Sequence, residues 1–318
     1  MKFLSRYFFI SLSLIRQRNY NQKHDIHEYW IDHSRNTFGY MDTVGNIKQF
    51  ERGINQTKIL HYKIPHLHHF YKNQNYTIMN HYTRQYEKSH VITPTCEKHF
   101  RWKDTTLSEC IHDNNYIRCN YFGIVSYYNL IKNQTYSVQL EGKSRREYLQ
   151  QQTWMDGISF SINNANEFSI HDAVQKDCGR MSMKQKFKYK MNENTILQKM
   201  KTYQIGDVFY ILFHYGNHVL YLMTVKKLEK TKEYQMTGLH CIRERKDVVD
   251  CDFQYPFVVS STRNELDVYE IKSNLLMEKI ITKKMPNLPY FTSILFYKHW
   301  ILFNGQSDIL SFVYLVYS

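Results

Sequence analysis

One phrase of alternating polarity runs through this chain. Asn166-Glu167-Phe168-Ser169-Ile170-His171-Asp172 returns as Asn264-Glu265-Leu266-Asp267-Val268-Tyr269-Glu270, and more loosely as Arg35-Asn36-Thr37-Phe38-Gly39-Tyr40-Met41-Asp42. Each copy has a turn-forming residue, an apolar residue two places on, a second apolar residue two further, and in most copies an acid two after that. Side chains of a strand point alternately to opposite sides, so such a stripe predicts a strand with one buried face.

The turn residue serves as an anchor for counting. Asn36, Gly123, Asn166, Asn217, Asn264 and Asp308 each precede a stripe; Asn217 leads into Val219, Tyr221 and Met223, and Asp308 into Leu310 and Phe312. From Asn166 the anchors follow at intervals of about 51, 47 and 44 residues. The gap from Asn36 to Gly123 is about twice that unit, which places a degraded copy near Asn75, between Asn73 and Tyr82. The total is seven units of about 40–50 residues, the size of a four-stranded propeller blade.

One unit reads strand by strand: residues 255–261 a strand, 263–264 a turn, 265–271 a strand, 272–274 a turn, and 275–281 the outer strand. That rhythm leaves no room for helices. The predicted fold is therefore all-β: a single seven-bladed β-propeller of four-stranded antiparallel blades, with six blades as the alternative count.

The outer strand of the fourth unit sets Lys184, Lys186, Lys188 and Lys190 against Met183, Phe187, Tyr189 and Met191. One apolar face and one cationic face suit an exposed edge strand, which must repel intruding strands. A comb that binds anions is the functional alternative.

Residues 1–24 are ambiguous. They carry Lys2, Arg6, Arg16, Arg18 and Lys23 with no acid before Asp25, and Tyr7 to Ile15 is apolar with two serines. A targeting peptide, secretory or mitochondrial, has this character. Yet Phe8, Ile10, Leu12 and Leu14 alternate as in a strand. The last stripe, 311–317, lies at the end of the chain, and Phe8 to Leu14 would supply its outer neighbour. The expected organisation is a segment 1–24, either ring-closing strand or targeting peptide, followed by a propeller over 25–318. The compartment reading leans to the cytoplasm, with secretion or mitochondria as alternatives. No run approaches the ~20 apolar residues of a membrane helix.

The stripes ending in Tyr269-Glu270, His171-Asp172 and Tyr128-Asn129 resemble the strand of WD40-type β-propellers that closes on an aromatic–acid pair. The family's Gly-His dipeptide is absent here. The resemblance implies a rigid interaction platform, usually without catalysis of its own; a monomeric fold unit is expected.

Composition supports strands: 27 Tyr and 19 Phe, against 5 Pro and 11 Gly. The formal charge of +13 favours acidic partners, but the cations are spread along the chain rather than clustered. Six cysteines at 96, 110, 119, 178, 241 and 251 form no CxxC pair. Cys110–Cys119 and Cys241–Cys251 are the nearest candidates for disulfides; buried free thiols are the alternative. Sequons at Asn55, Asn75 and Asn133 are no more than a chain of this composition produces by chance.

Motifs of phosphate cradles, serine hydrolases, zinc proteases and calcium loops are absent. His61, His66, His68 and His69 gather around Pro65, and His66 and His68 share a side on an extended chain, but no Cys or acid at ligand spacing accompanies them. Asp42, Asp172 and Glu270 recur at one place in the phrase, which suits a repeated structural hydrogen bond better than a catalytic pair. Trp30, Trp102, Trp154 and Trp300 have the surface to stack on bases or sugars, and Arg145, Arg146, Arg243, Arg245, Lys226 and Lys227 the charge for a nucleic-acid patch. No catalytic, cofactor-binding or metal-ligating residue is assigned, and no cofactor is expected. The leading reading is a non-catalytic scaffold that binds protein partners. The alternatives are a propeller hydrolase of glycosidase or lactonase type and a basic nucleic-acid or ribonucleoprotein component.

Overall fold

The described residues form 27 strands and no helix. The computed structural model describes residues 7–16, 26–32, 37–42, 47–51, 67–72, 76–82, 87–143, 147–175, 181–216, 219–243, 248, 250–262, 265–274, 276–284, 291–297, 300–305 and 309–317, with most side chains between 76 and 284. Among these residues no helix is long and apolar enough to cross a membrane.

The described strands make seven antiparallel sheets. β1 (Tyr7–Arg16) is set aside for the last. β2 (Ile26–Asp32), β3 (Thr37–Asp42) and β4 (Ile47–Glu51) form the first sheet, and β5 (Leu67–Lys72), β6 (Thr77–Tyr82), β7 (Glu87–Ile92) and β8 (Glu97–Trp102) the second. The third holds β9 (Thr106–His112), β10 (Asn115–Asn120), β11 (Ile124–Asn129) and β12 (Gln134–Gln139). The fourth holds β13 (Leu149–Met155), β14 (Ile158–Asn163), β15 (Glu167–Gln175) and β16 (Met181–Lys190). β17 (Leu197–Ile205), β18 (Val208–Tyr215), β19 (Val219–Lys227) and β20 (Tyr234–Arg243) follow, then β21 (Asp250–Gln254), β22 (Phe257–Ser261), β23 (Glu265–Ile271) and β24 (Met277–Lys284). The seventh is β25 (Phe291–Tyr297), β26 (Trp300–Gly305) and β27 (Ile309–Tyr317), with β1 antiparallel to β27 from Tyr7↔Tyr317 to Arg16↔Ile309.

Apart from β1, strands adjacent in a sheet are adjacent in the chain, so each sheet is a meander. The strands fall into two compact units, His24–Met191 and Met1–Lys23 with Asn192–Ser318.

The turns follow from their residues. Asp113-Asn114 and Asp156-Gly157 both take positive φ at two consecutive positions. That is the two-residue hairpin geometry whose twist matches the flanking strands, and these residue types tolerate it. Two anchors read from the sequence, Gly123 and Asn166, also have positive φ, at 73° and 58°.

Two sequence expectations need correction. The Asn36 stripe lies on β3, the second strand of its sheet, and the Asn73–Tyr82 candidate falls on the second strand β6; the other anchors precede third strands. Successive strands of a meander share one alternation, so periodicity alone does not tell a second strand from a third. The single buried face is also too simple. β14, β22 and most of β19 are buried on both sides, because a middle strand has a sheet neighbour on each edge and packed layers above and below. Outer strands keep the alternation, as in β8 and β12.

Within Met1–Lys23 and Asn192–Ser318, one core joins Leu212, Leu220 and Leu222 to Cys251, Phe253, Val258 and Tyr269. Lys199 donates to both carboxylate oxygens of Asp250, at 2.7 and 2.8 Å, and so links first strand β17 to first strand β21. Within His24–Met191, Val125, Tyr127, Leu140, Leu149 and Met183 join the third and fourth sheets. Here the first strands are linked by Ser108, which donates to Gln152 at 2.7 Å and accepts from the Trp154 indole at 2.9 Å.

The second and third sheets meet at a buried polar joint. Arg118, 2% exposed, sits on β10. Its Nη1 donates to Asp104 Oδ1 at 3.0 Å, its Nη2 to Glu87 Oε2 at 3.3 Å, and its Nε to Thr106 Oγ1 at 2.6 Å. The guanidinium lies 4.7 Å from the centre of the Trp102 ring. Two residues away on β10, the Tyr116 hydroxyl lies 2.6 Å from Glu109 Oε2 and 3.1 Å from Ser89 Oγ. Period two thus puts a phenol and a guanidinium on one face of the strand, and both are satisfied across the joint.

Candidate functional site

Two turns of the third and fourth sheets are built alike. Asn120, the last residue of β10, accepts at Oδ1 from the amides of Phe122 and Ile124, both at 3.0 Å. Asn163, the last residue of β14, accepts from Ala165 at 3.0 Å and Glu167 at 2.9 Å. In each case a short polar side chain replaces the backbone partner that the turn lacks. The amide nitrogen of each Asn then donates to an acid two residues ahead of a first strand: Asn120 to Asp104, and Asn163 to Glu147 at 3.1 Å.

The repeated structural hydrogen bond expected of the recurrent acids therefore exists, but Asp104 and Glu147 make it. Asp172 and Glu270 do occupy matching places, six residues into β15 and β23. Glu270 holds Lys272, whereas the residue two beyond Asp172 is Val174, so that ion pair is not repeated. Asp42 lies at the end of the second strand β3 and matches neither.

Around these turns the chain interlocks. Leu149 N–H donates to Tyr121 O at 2.8 Å, Asn164 N–H to Tyr148 O at 2.8 Å, and Leu140 N–H to Gly123 O at 3.0 Å. The side chains of Gln139 and Lys143 donate to the carbonyls of Phe122 and Tyr121, at 2.8 and 3.1 Å. With its backbone satisfied in this way, the turn presents Tyr121, Phe122 and Ile124 at 42%, 43% and 39% exposure. Tyr148, 49% exposed, stands beside them, its ring 5.1 Å from that of Phe122. Single exposed apolar side chains are ordinary; four grouped on pinned turns make a patch, and patches of this kind mark interaction sites.

Next to this aromatic lip is a shallow, open polar cleft, lined among others by Lys143, Glu147, Asn163, Glu167, His171 and Lys188. Glu147 and Glu167 share one donor: Asn163 Nδ2 lies 3.1 Å from the first and 3.2 Å from the second. Lys188 donates to Glu167 at 2.9 Å and holds its carboxyl below the usual range. Burial pushes the Lys143 ammonium down to about 8, against the opposing pull of Cys119 and Glu147. Burial also lowers His171, whose Nε2 donates to Glu141 O at 3.0 Å. The arrangement is a cleft of mixed charge in which the carboxylate nearest Lys188 stays ionised.

The other candidates read from the sequence are dispersed. His61 and His66 lie outside the described residues; His68 and His69 fall on β5, where side chains are not described. Arg145, Arg146 and Arg245 are outside as well, and Arg243 ends β20 without a described side chain. Lys226 pairs with Asp207 at 3.1 Å and Lys227 covers the Tyr234 ring at 5.3 Å, so both cations are engaged locally. Trp102 and Trp154 donate inward, to Ser89 and Ser108; Trp30 and Trp300 lie on β2 and β26.

The Lys row on β16 is an edge: Lys184 pairs with Glu141 at 3.4 Å and Lys188 with Glu167, and a bulge at Lys186 breaks the alternation. Cys96, Cys110, Cys119, Cys241 and Cys251 are free thiols, and Cys178 lies outside the described residues. Of the sequons only Asn133 is described; it accepts from Tyr128 and Lys98, each at 2.8 Å.

Sequence reasoning missed the Asn120 and Asn163 turns, although each Asn stands three residues before an anchor, Gly123 and Asn166.

Comparison with solved structures decides the fold. The chain is similar to the β-propeller domain of Myceliophteria thermophila Cps50 (Swd1), at 9% identity, with 97% of this chain and 99% of that one covered and a TM-score of 0.68. The fold is a β-propeller. Kluyveromyces lactis Hsv2 is similar at 8% identity, 93% and 98% coverage and a TM-score of 0.60, and the computationally designed protein Ika8 at 8%, 92% and 97%, and 0.56. No protein-family model matches the sequence, and neither does any curated protein. At these identities the likeness concerns the propeller fold, not an activity.

Proposed function

We propose that this propeller is a non-catalytic scaffold, its seven sheets acting as seven blades over residues 25–318 with β1 closing the last, and that it docks a protein partner on the lip formed by Tyr121, Phe122, Ile124 and Tyr148. The single observation that supports this is the exposed aromatic pair Phe122–Tyr148, held on turns whose own hydrogen bonds are already made. Rigid aromatic side chains lose little freedom on contact, and such residues dominate binding energy at interfaces. The net charge of +13 favours a partner with an acidic surface around its apolar contact.

A hydrolase reading asks for a carboxyl kept protonated to serve as the acid. In the cleft, Glu167 is held in the opposite direction by Lys188. A nucleic-acid reading asks for free converging cations, and Lys226 and Lys227 are engaged locally.

The test uses the full chain as bait, with Phe122→Ser/Tyr148→Ser beside it. The reading expects defined proteins bound by the parent and lost from the double variant, with an unchanged melting curve. The same proteins on both baits, or none on the parent, would refute it.

A further inference from the structure

We propose that the β7–β8 hairpin carries a binding site for a divalent transition metal of the zinc class, formed by His90, Glu97 and His99. The site is separate from the aromatic lip and independent of the scaffold reading.

The ladder builds it. His90 and His99 are directly opposite each other, and Glu97 is two residues before His99, so all three project from one face of the hairpin. The imidazoles stack with centroids 4.0 Å apart and planes 18° from parallel. Both Nε2 atoms face one carboxylate oxygen: His90 donates to Glu97 Oε1 at 2.7 Å, and His99 Nε2 lies 3.4 Å from the same atom. The three ligand atoms lie within 4.8 Å of one another.

Zinc bonds of about 2.0–2.1 Å in tetrahedral array place neighbouring ligand atoms about 3.3–3.4 Å apart. The Glu97–His99 spacing already meets that value. The Glu97–His90 contact has to open and the two stacked rings have to tilt until both Nε2 lone pairs point at one ion; Glu97 and His99, at 58% and 71% exposure, have the room to move. Two imidazoles and a carboxylate suit Zn²⁺, Cu²⁺ and Ni²⁺ better than Mg²⁺ or Ca²⁺, which prefer oxygen alone. On binding, His90 gives up its Nε2 proton contact with Glu97, carries its proton on Nδ1, and offers the Nε2 lone pair to the metal. Three protein ligands leave a fourth position for water or for a ligand from outside.

The adjacent Cys96 thiol is not among the three converging groups and contacts Thr93 Oγ1 at 3.2 Å instead. The next pair along the same face is Lys88↔Arg101. Two cations there weaken metal binding by like-charge repulsion, so the affinity is set below that of a buried zinc site.

The experiment is isothermal titration of the full chain with ZnCl₂, in parallel with His99→Ala and Glu97→Gln. His99 is a surface side chain, and Glu97→Gln keeps a side-chain oxygen that accepts from His90, so both variants keep the parent fold by circular dichroism. The proposal expects each substitution to weaken the tightest Zn²⁺ site at least tenfold. Binding by exposed Cys241 or by other histidines is common to all three proteins and cancels in the comparison. Unchanged affinity in both variants, or no Zn²⁺ binding by the parent, would overturn it.

Discussion

Replacing Arg118 by Met tests the buried joint between the second and third sheets. Met is unbranched and fills the space against Trp102, so the change removes charge with little loss of volume. The substitution strands two carboxylates unequally. Asp104 is 43% exposed on its side chain and regains water, so its loss is small. Glu87 is 8% exposed and, among the described residues, keeps the Thr106 N–H at 2.7 Å. Removing one member of a buried pair costs about 3–5 kcal/mol, and with Asp104 discounted the lower end, about 3 kcal/mol, is the expected loss. For a urea slope of about 1–3 kcal/mol/M that is a midpoint lower by ~1–3 M. The assay is urea unfolding followed by tryptophan fluorescence, with Trp102 beside the change. Lys188→Met, which breaks a half-exposed pair, serves as the comparison and should cost about 0–1 kcal/mol. Adding Glu87→Leu to Arg118→Met removes the stranded charge and should restore part of the loss. An Arg118→Met loss below about 1 kcal/mol would show that the joint behaves like an exposed pair, and the reasoning would fail.

Three further outcomes follow from the same structure. Burial raises Asp104, but the Asn120 hydrogen bond and the Arg118 charge and hydrogen bond outweigh it, so its folded pKa is depressed. A depressed carboxyl contributes stability above its unfolded value of 3.8 and loses it as pH falls through the folded value; acid titration of stability should therefore be steeper below pH 4 in the parent than in Asp104→Asn, and equal slopes would reject the assignment. Lys143 should be acetylated with a midpoint near pH 8 in competitive labelling read by mass spectrometry, well below the surface lysines, and a midpoint near their ordinary 10.5 would refute its burial. Deleting residues 1–20 removes the strand beside β27 and exposes its edge, so the melting temperature should fall; an unchanged value would mark the segment as an address only.

The fold was legible because each sheet repeats one local grammar. Phe168 and Ile170, or Leu266 and Val268, alternate on a third strand behind a turn residue, and those strands lie where the alternation placed them. The phase was not legible in the first two sheets. Thr37 and Thr77 begin second strands whose pattern matches a third strand's, and only hydrogen-bond partners tell them apart. The lip was invisible for another reason. Tyr121 and Phe122 read as core residues in a chain of 27 Tyr and 19 Phe, and their exposure depends on Asn120 turning the backbone outward. His90 and His99 are nine positions apart, and their meeting required the register of one hairpin.

The pairing of β1 with β27 has a consequence for biosynthesis. Tyr7 meets Tyr317, so β1 leaves the ribosome long before its mate has been made. Residues 24–191, one continuous stretch, have no such wait and are free to settle while the remainder is still being translated. The interrupted half can assemble its last sheet only after β27 has emerged. Closing so long a loop is slow, which makes β1 the final latch and the stage most vulnerable to a chaperone, a protease or a second nascent chain.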